Sequence, residues 1–121
     1  MDNGEVKCDF NGHCSSLLNS FKKMLENREL CDVILTVGMK QFHVHKVILA
    51  ASSPYFQAMF TSALQESAQK EINLKGANAE TVETLINCVY ESTLAITVEN
   101  ATLVLALAAQ WQMEKVVEVC G

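Results

Sequence analysis

The sequence predicts an α+β fold, rich in helix and built around a small sheet, and three observations carry that expectation. Two short apolar-alternating runs, residues 32–37 and 40–44, flank Gly38-Met39, and glycine at the first central position is what a type II′ hairpin requires. Several later stretches place apolar side chains three and four residues apart, the spacing of one helix face. Half of the 121 residues are apolar and only 19% are charged, which suits a single packed domain of 13.3 kDa and not a disordered chain. A compact monomer of that mass should expose about 6,400 Å² of the roughly 19,000 Å² its unfolded chain shows.

The elements follow in order. Residues 5–10 alternate polar and apolar, as a half-buried strand would, and Asn11-Gly12 punctuates them. Ser15 or Ser16 can cap a helix bearing Leu17, Leu18, Phe21, Met24 and Leu25 on one face. After the hairpin, residues 46–51 form a short apolar helix. Ser53-Pro54 then restarts one, serine capping and proline sitting at the first helical position. Residues 71–74 give a third strand. Asn78 or Ala79 opens a helix whose Val82, Leu85, Ile86, Val89 and Tyr90 share a face. Residues 94–96 read as extended. Thr97 caps a very apolar helix through Gln110, and Met113, Val116, Val117 and Cys120 mark the last one. About five or six helices therefore clasp a small sheet that contains a hairpin.

Composition excludes several classes of function. A formal charge of −5 and a pI near 5.1 give no basic face for direct nucleic-acid binding. The longest apolar run, residues 103–109, is far short of the ~20 residues that span a bilayer, and no basic segment precedes an apolar one as in a signal peptide. Five cysteines, an odd number without regular spacing, do not form a disulfide framework; they fit a reducing compartment, cytoplasm or nucleus.

Catalytic chemistry is not evident. The phosphate-binding, dinucleotide-binding, nucleophile-elbow and zinc-protease patterns are all missing. His43 and His45, with Cys31, are the best metal candidates, but no second paired motif completes a tetrahedral set, and histidines hydrogen-bonded in or near the core are the simpler reading. Cys8 with His13-Cys14 is weaker still. Neither an enzyme nor a metal or cofactor site is expected. What remains is apolar surplus on the first helix and on Val6, Cys8 and Phe10, which a domain this small rarely exposes without a partner.

The run Cys31-Asp32-Val33-Ile34-Leu35, followed by the string from Phe42 to Phe60 that reads H-K-V-x-L-A-A-x-S-x-Y-F-x-A-M-F from His45, closely resembles the BTB (POZ) domain of Kelch-like and BTB–zinc-finger proteins. The resemblance covers residues 15–121, leaving residues 1–14 as an N-terminal segment. It implies a homodimerising adaptor module. In such dimers the first helix packs on its copy, here through Leu17, Leu18, Phe21, Met24 and Leu25. The N-terminal strand, here Val6, Cys8 and Phe10, crosses to the partner, where Leu94 and Ile96 would accept it. Asp32 and Lys46 correspond to a charged pair near that interface.

The resemblance also implies recruitment of cullin-3 as a ubiquitin-ligase adaptor. The hydrophobic-x-Glu motif that carries this reads Leu64-Gln65-Glu66, with Phe60 and Tyr90 flanking the same surface. The alternative it implies is a transcription-factor dimerisation domain whose groove, near Phe10, His13, Leu17 and Phe21, takes corepressor peptides. Two positions depart from the family pattern. Tyr90-Glu91-Ser92 lacks the usual glycine and adds a charge, and Gln110-Trp111-Gln112 is bulkier than the common leucine-rich version.

Overall fold

A computed structural model describes residues 4–9, 11–62 and 69–120 of the chain. Six helices and three strands occur among them: α1 His13–Glu26, β1 Val33–Val37, β2 Lys40–Val44, α2 Lys46–Ser52, α3 Pro54–Thr61, β3 Glu71–Asn73, α4 Ala79–Glu91, α5 Ala101–Gln110 and α6 Glu114–Cys120. The sheet order is β2-β1-β3. β1 pairs antiparallel with β2, from Val33 opposite Val44 to Val37 opposite Lys40, so Gly38 and Met39 alone turn the hairpin. Gly38 adopts φ +60°, the left-handed geometry that a two-residue turn needs at that position. β3 joins parallel to β1, Leu35 opposite Ile72, after the crossover through α2 and α3. The mixed α+β architecture read from the sequence is the one observed.

Period-two alternation decides the sheet's inner face. Val33, Leu35 and Val37 are buried while Ile34 and Thr36 between them are half-buried. Onto that face pack Leu49 of α2, Phe56 of α3, Val82, Leu85 and Ile86 of α4, and Val104 of α5. Ser53 caps α3 as expected: its Oγ accepts from the Phe56 N–H at 3.3 Å and donates to the Trp111 carbonyl at 2.6 Å. One hydroxyl thus starts a helix and ties it to the far end of α5. Trp111, the bulky departure noted above, is 1% exposed and meets Phe56 edge-on at 4.9 Å between ring centroids. Asn78 caps α4 by accepting from the Thr81 N–H at 3.1 Å.

Four local expectations are corrected. Residues 4–9 are exposed and form no strand. α1 starts at His13, ahead of Ser15 and Ser16; Gly12, at φ 82°, occupies the cap position and its carbonyl accepts from the Ser16 N–H at 2.9 Å. Residues 94–96 form no strand. Thr97 does not cap α5 directly. It heads a separate turn, exchanging bonds with Asn100 at 2.7 and 3.1 Å, and α5 follows from Ala101.

Candidate functional site

The helix α1 is amphipathic by sequence, yet none of its residues is buried. Leu17 is 44% exposed, and Leu18, Phe21, Met24 and Leu25 are half-buried. Only Phe21 and Leu25 of the five reach the core from the side. α1 lies against α4, and the two are joined across the top by an ion pair between Lys22 and Glu91; Lys22 also faces Glu26 at 3.9 Å within α1. Glu91, the added charge in the Tyr90-Glu91-Ser92 departure, therefore holds the first helix. Ser92 closes α4 at φ 61°, a left-handed position that glycine would occupy more cheaply.

Val6, 81% exposed, and Cys8 lie with the first helix outside the core, whereas Phe10 falls outside the described residues. Leu94 is half-buried against the core and Ile96 is 37% exposed. A separate apolar groove of about 830 Å³ opens between the α2–α3 junction, the end of α4 and α6, lined by Pro54, Val89, Leu94, Met113 and Val119 among others.

At the junction of hairpin and helices the polar groups converge. Asp32 accepts from the backbone N–H of Lys46 at 2.8 Å, so the expected pair meets carboxylate to main chain. The Lys46 ammonium lies 5.5 Å from the Phe60 ring centre, within cation–π range. His45, 5% exposed, follows β2 and precedes α2. Its Nδ1 is 2.6 Å from the Tyr90 hydroxyl, its Nε2 is 2.8 Å from the Glu29 carbonyl, and its backbone N–H donates to the same hydroxyl at 3.1 Å. Burial pushes the Tyr90 phenol up to about 12, partly opposed by that backbone bond. Burial also raises the Cys31 thiol, with Asp32 adding to the effect and Arg28 opposing it. A thiol held protonated is a poor nucleophile. No cluster of metal-ligating side chains occurs among the described residues, and Cys8, Cys14, Cys31 and Cys88 are thiols.

Tyr90 requires a correction. It is 1% exposed and spends its hydroxyl on His45, so it is an interior anchor and not part of a surface rim. Phe60 is half-buried at the end of α3, stacked on Phe56 at 5.7 Å. Leu64 and Glu66 lie outside the described residues. Sequence reasoning placed a histidine near the core but missed the His45–Tyr90–Glu29 constellation. Its partners lie 16 and 45 residues away from His45, beyond the reach of local spacing.

The BTB/POZ domain model matches residues 21–121. The chain belongs to the BTB/POZ family. It is 39% identical over 120 residues to mouse Kelch-like protein 26, covering 98% of this chain and 20% of that protein. It is 43% identical over 108 residues to human Kelch repeat and BTB domain-containing protein 12, covering 89% and 17% respectively. The chain spans about a fifth of the length of these relatives. Among solved structures it resembles the BTB domain of zebrafish PATZ1, with a TM-score of 0.87 and 26% identity over 96% of this chain and 94% of that one. A BTB/POZ domain is a protein-interaction module, which agrees with a surface that offers apolar faces. No helix among the described residues is long and apolar enough to cross a membrane.

Proposed function

We propose that this BTB/POZ chain dimerises through α1 and serves as an adaptor that recruits cullin-3 to a ubiquitin ligase. One observation supports dimerisation above the rest: a helix with five apolar residues on one face has none of them buried. An isologous two-fold contact lets that stripe cover its own copy. Val6, Cys8 and Phe10 would add a strand beside Leu94 and Ile96 of the second copy, capping backbone groups that otherwise invite aggregation.

The Kelch-like relatives favour the adaptor reading over a corepressor-binding one, in cytoplasm or nucleus. Leu64 would fill a pocket on cullin-3, Glu66 would set its register, and Phe60 would form the apolar flank, with Tyr90 supporting the surface from inside. Equilibrium sedimentation near micromolar concentration tests the first claim. The expected result is a dimer that Leu18→Asp with Phe21→Asp dissociates, and a monomeric parent chain overturns it. Calorimetry against a cullin-3 N-terminal fragment tests the second. Leu64→Ala should weaken binding by about 30-fold, the effect of an anchor worth about 2 kcal/mol. Binding left intact by both Leu64→Ala and Glu66→Ala refutes the motif, and failure of the dimer to bind moves the corepressor reading ahead.

A further inference from the structure

The segment between α1 and β1 is bent in an unusual way. Arg28 and Leu30 adopt φ 54° and φ 59°, left-handed conformations that cost a non-glycine residue about 1–2 kcal/mol each. Glu29 sits between them. Its N–H donates to the Met24 carbonyl at 2.8 Å, which folds the chain back against the end of α1. Its carbonyl faces His45 Nε2 at 2.8 Å. A carbonyl can only accept, so that nitrogen carries the proton, and Nδ1 is left to accept from the Tyr90 hydroxyl. The hydroxyl oxygen in turn accepts from the His45 backbone N–H. In this arrangement the two ring nitrogens and the hydroxyl are all satisfied at once, and Cys31 Sγ lies 3.7 Å from Nε2.

We propose that His45 is a latch for α1: its bond to the Glu29 carbonyl, braced from behind by Tyr90 of α4, holds the strained Arg28–Leu30 joint closed and so fixes the angle at which α1 presents its apolar face. The rest of what holds α1 lies at its edges. It has no fully buried residue, Phe21 and Leu25 touch the core from the side, it leans on α4, and its ion pair to Glu91 is partly solvated. The joint stores strain that favours letting the helix go. His45 acts on α1 through Glu29 and touches no partner surface, so it is a positioning residue. The inference is independent of which partner α1 meets.

Hydrogen exchange of the full chain, at one protein concentration, tests this through variants that separate the two ring nitrogens. His45→Asn keeps an acceptor near the Nδ1 position for Tyr90 but has no atom that reaches Glu29. His45→Gln places an amide N–H where Nε2 was. With the latch removed, the α1 amides of His45→Asn should exchange about tenfold faster, the value of one good hydrogen bond, while β1 and β2 change much less. His45→Gln should restore most of the protection. Leu30 is 79% exposed, so Leu30→Gly relieves strain without emptying the core. In the parent chain it should slow α1 exchange roughly two- to fivefold, strain relief less the added freedom of glycine. In the His45→Asn background it should have no effect, because the joint has already relaxed. Loss of α1 and hairpin protection in step, or a Leu30→Gly effect that is the same in both backgrounds, overturns the latch. If His45→Asn does not fold, Leu30→Gly alone decides: slower α1 exchange supports the proposal, and unchanged or faster exchange refutes it.

Discussion

Replacing Tyr90 with phenylalanine removes a single oxygen from the interior, and the structure says what that oxygen does. It accepts from the His45 N–H at 3.1 Å and donates to Nδ1 at 2.6 Å. The ring stays packed, so no large cavity term arises. Two buried groups of His45 are left unsatisfied, and at about 1–3 kcal/mol per orphaned group, with partial relaxation, the loss should be about 2–4 kcal/mol at pH 8. The phenol adds a pH signature. It ionises near 10 in an unfolded chain and at about 12 in this fold. Between those values the folded state keeps a proton that the unfolded state has shed. Its contribution is therefore complete below pH 10 and falls as pH rises towards 12. At pH 11 about 1.4 kcal/mol of it is gone, one pH unit's worth of linkage. Urea unfolding of parent and Tyr90→Phe at fixed protein concentration, at pH 8 and pH 11, reads both quantities. The gap between the two proteins should narrow by that amount at the higher pH. A gap under about 0.5 kcal/mol at pH 8 refutes the assignment of the hydroxyl to His45, and a gap that stays constant with pH refutes the upward shift that burial gives the phenol.

Two further outcomes follow from packing and backbone. Phe56 is fully buried among Tyr55, Phe60 and Trp111, so Phe56→Ala should cost about 3–5 kcal/mol, measured by urea unfolding, with loss of the near-ultraviolet signal of Trp111. Ser92→Gly places glycine where the chain already adopts φ 61°, and should raise stability by about 0.5–1 kcal/mol, seen as a melting temperature a few degrees higher.

How much was legible in the sequence depended on how local each cause is. The hairpin was readable because Gly38 fixes its turn within two residues, and α3 because Ser53 and Pro54 act within one helical turn. The helix α4 announced itself by periodicity, and α5 by its long apolar run. The start of α1 was misplaced because serine is the commoner cap, while here a glycine in left-handed geometry does the work without a side-chain bond. Residues 5–10 alternate like a strand, but alternation records only two unlike faces and says nothing about where a partner strand lies. Tyr90 was set on the surface because the family motif placed it near a contact. Its burial comes from pairing with a residue 45 positions earlier, which no window of sequence contains.

The way α1 is attached bears on what it can do. A helix anchored by burying its apolar face would spend that face on its own subunit. Here the anchors are at the edges: Phe21 and Leu25 touch the core, Lys22 meets Glu91, and the Glu29 carbonyl meets His45. Exposed ion pairs contribute about 0–1 kcal/mol and a single hydrogen bond about 1 kcal/mol, so the attachment is weak on its own. It leaves Leu17 exposed and Leu18 half-covered, ready for a second surface. Whatever covers them should also stabilise the fold, because a ligand bound only to the docked helix adds its binding free energy to folding. Stability that rises with protein concentration is thus the thermodynamic counterpart of an amphipathic helix held only at its edges, and that rise should vanish when the stripe is charged.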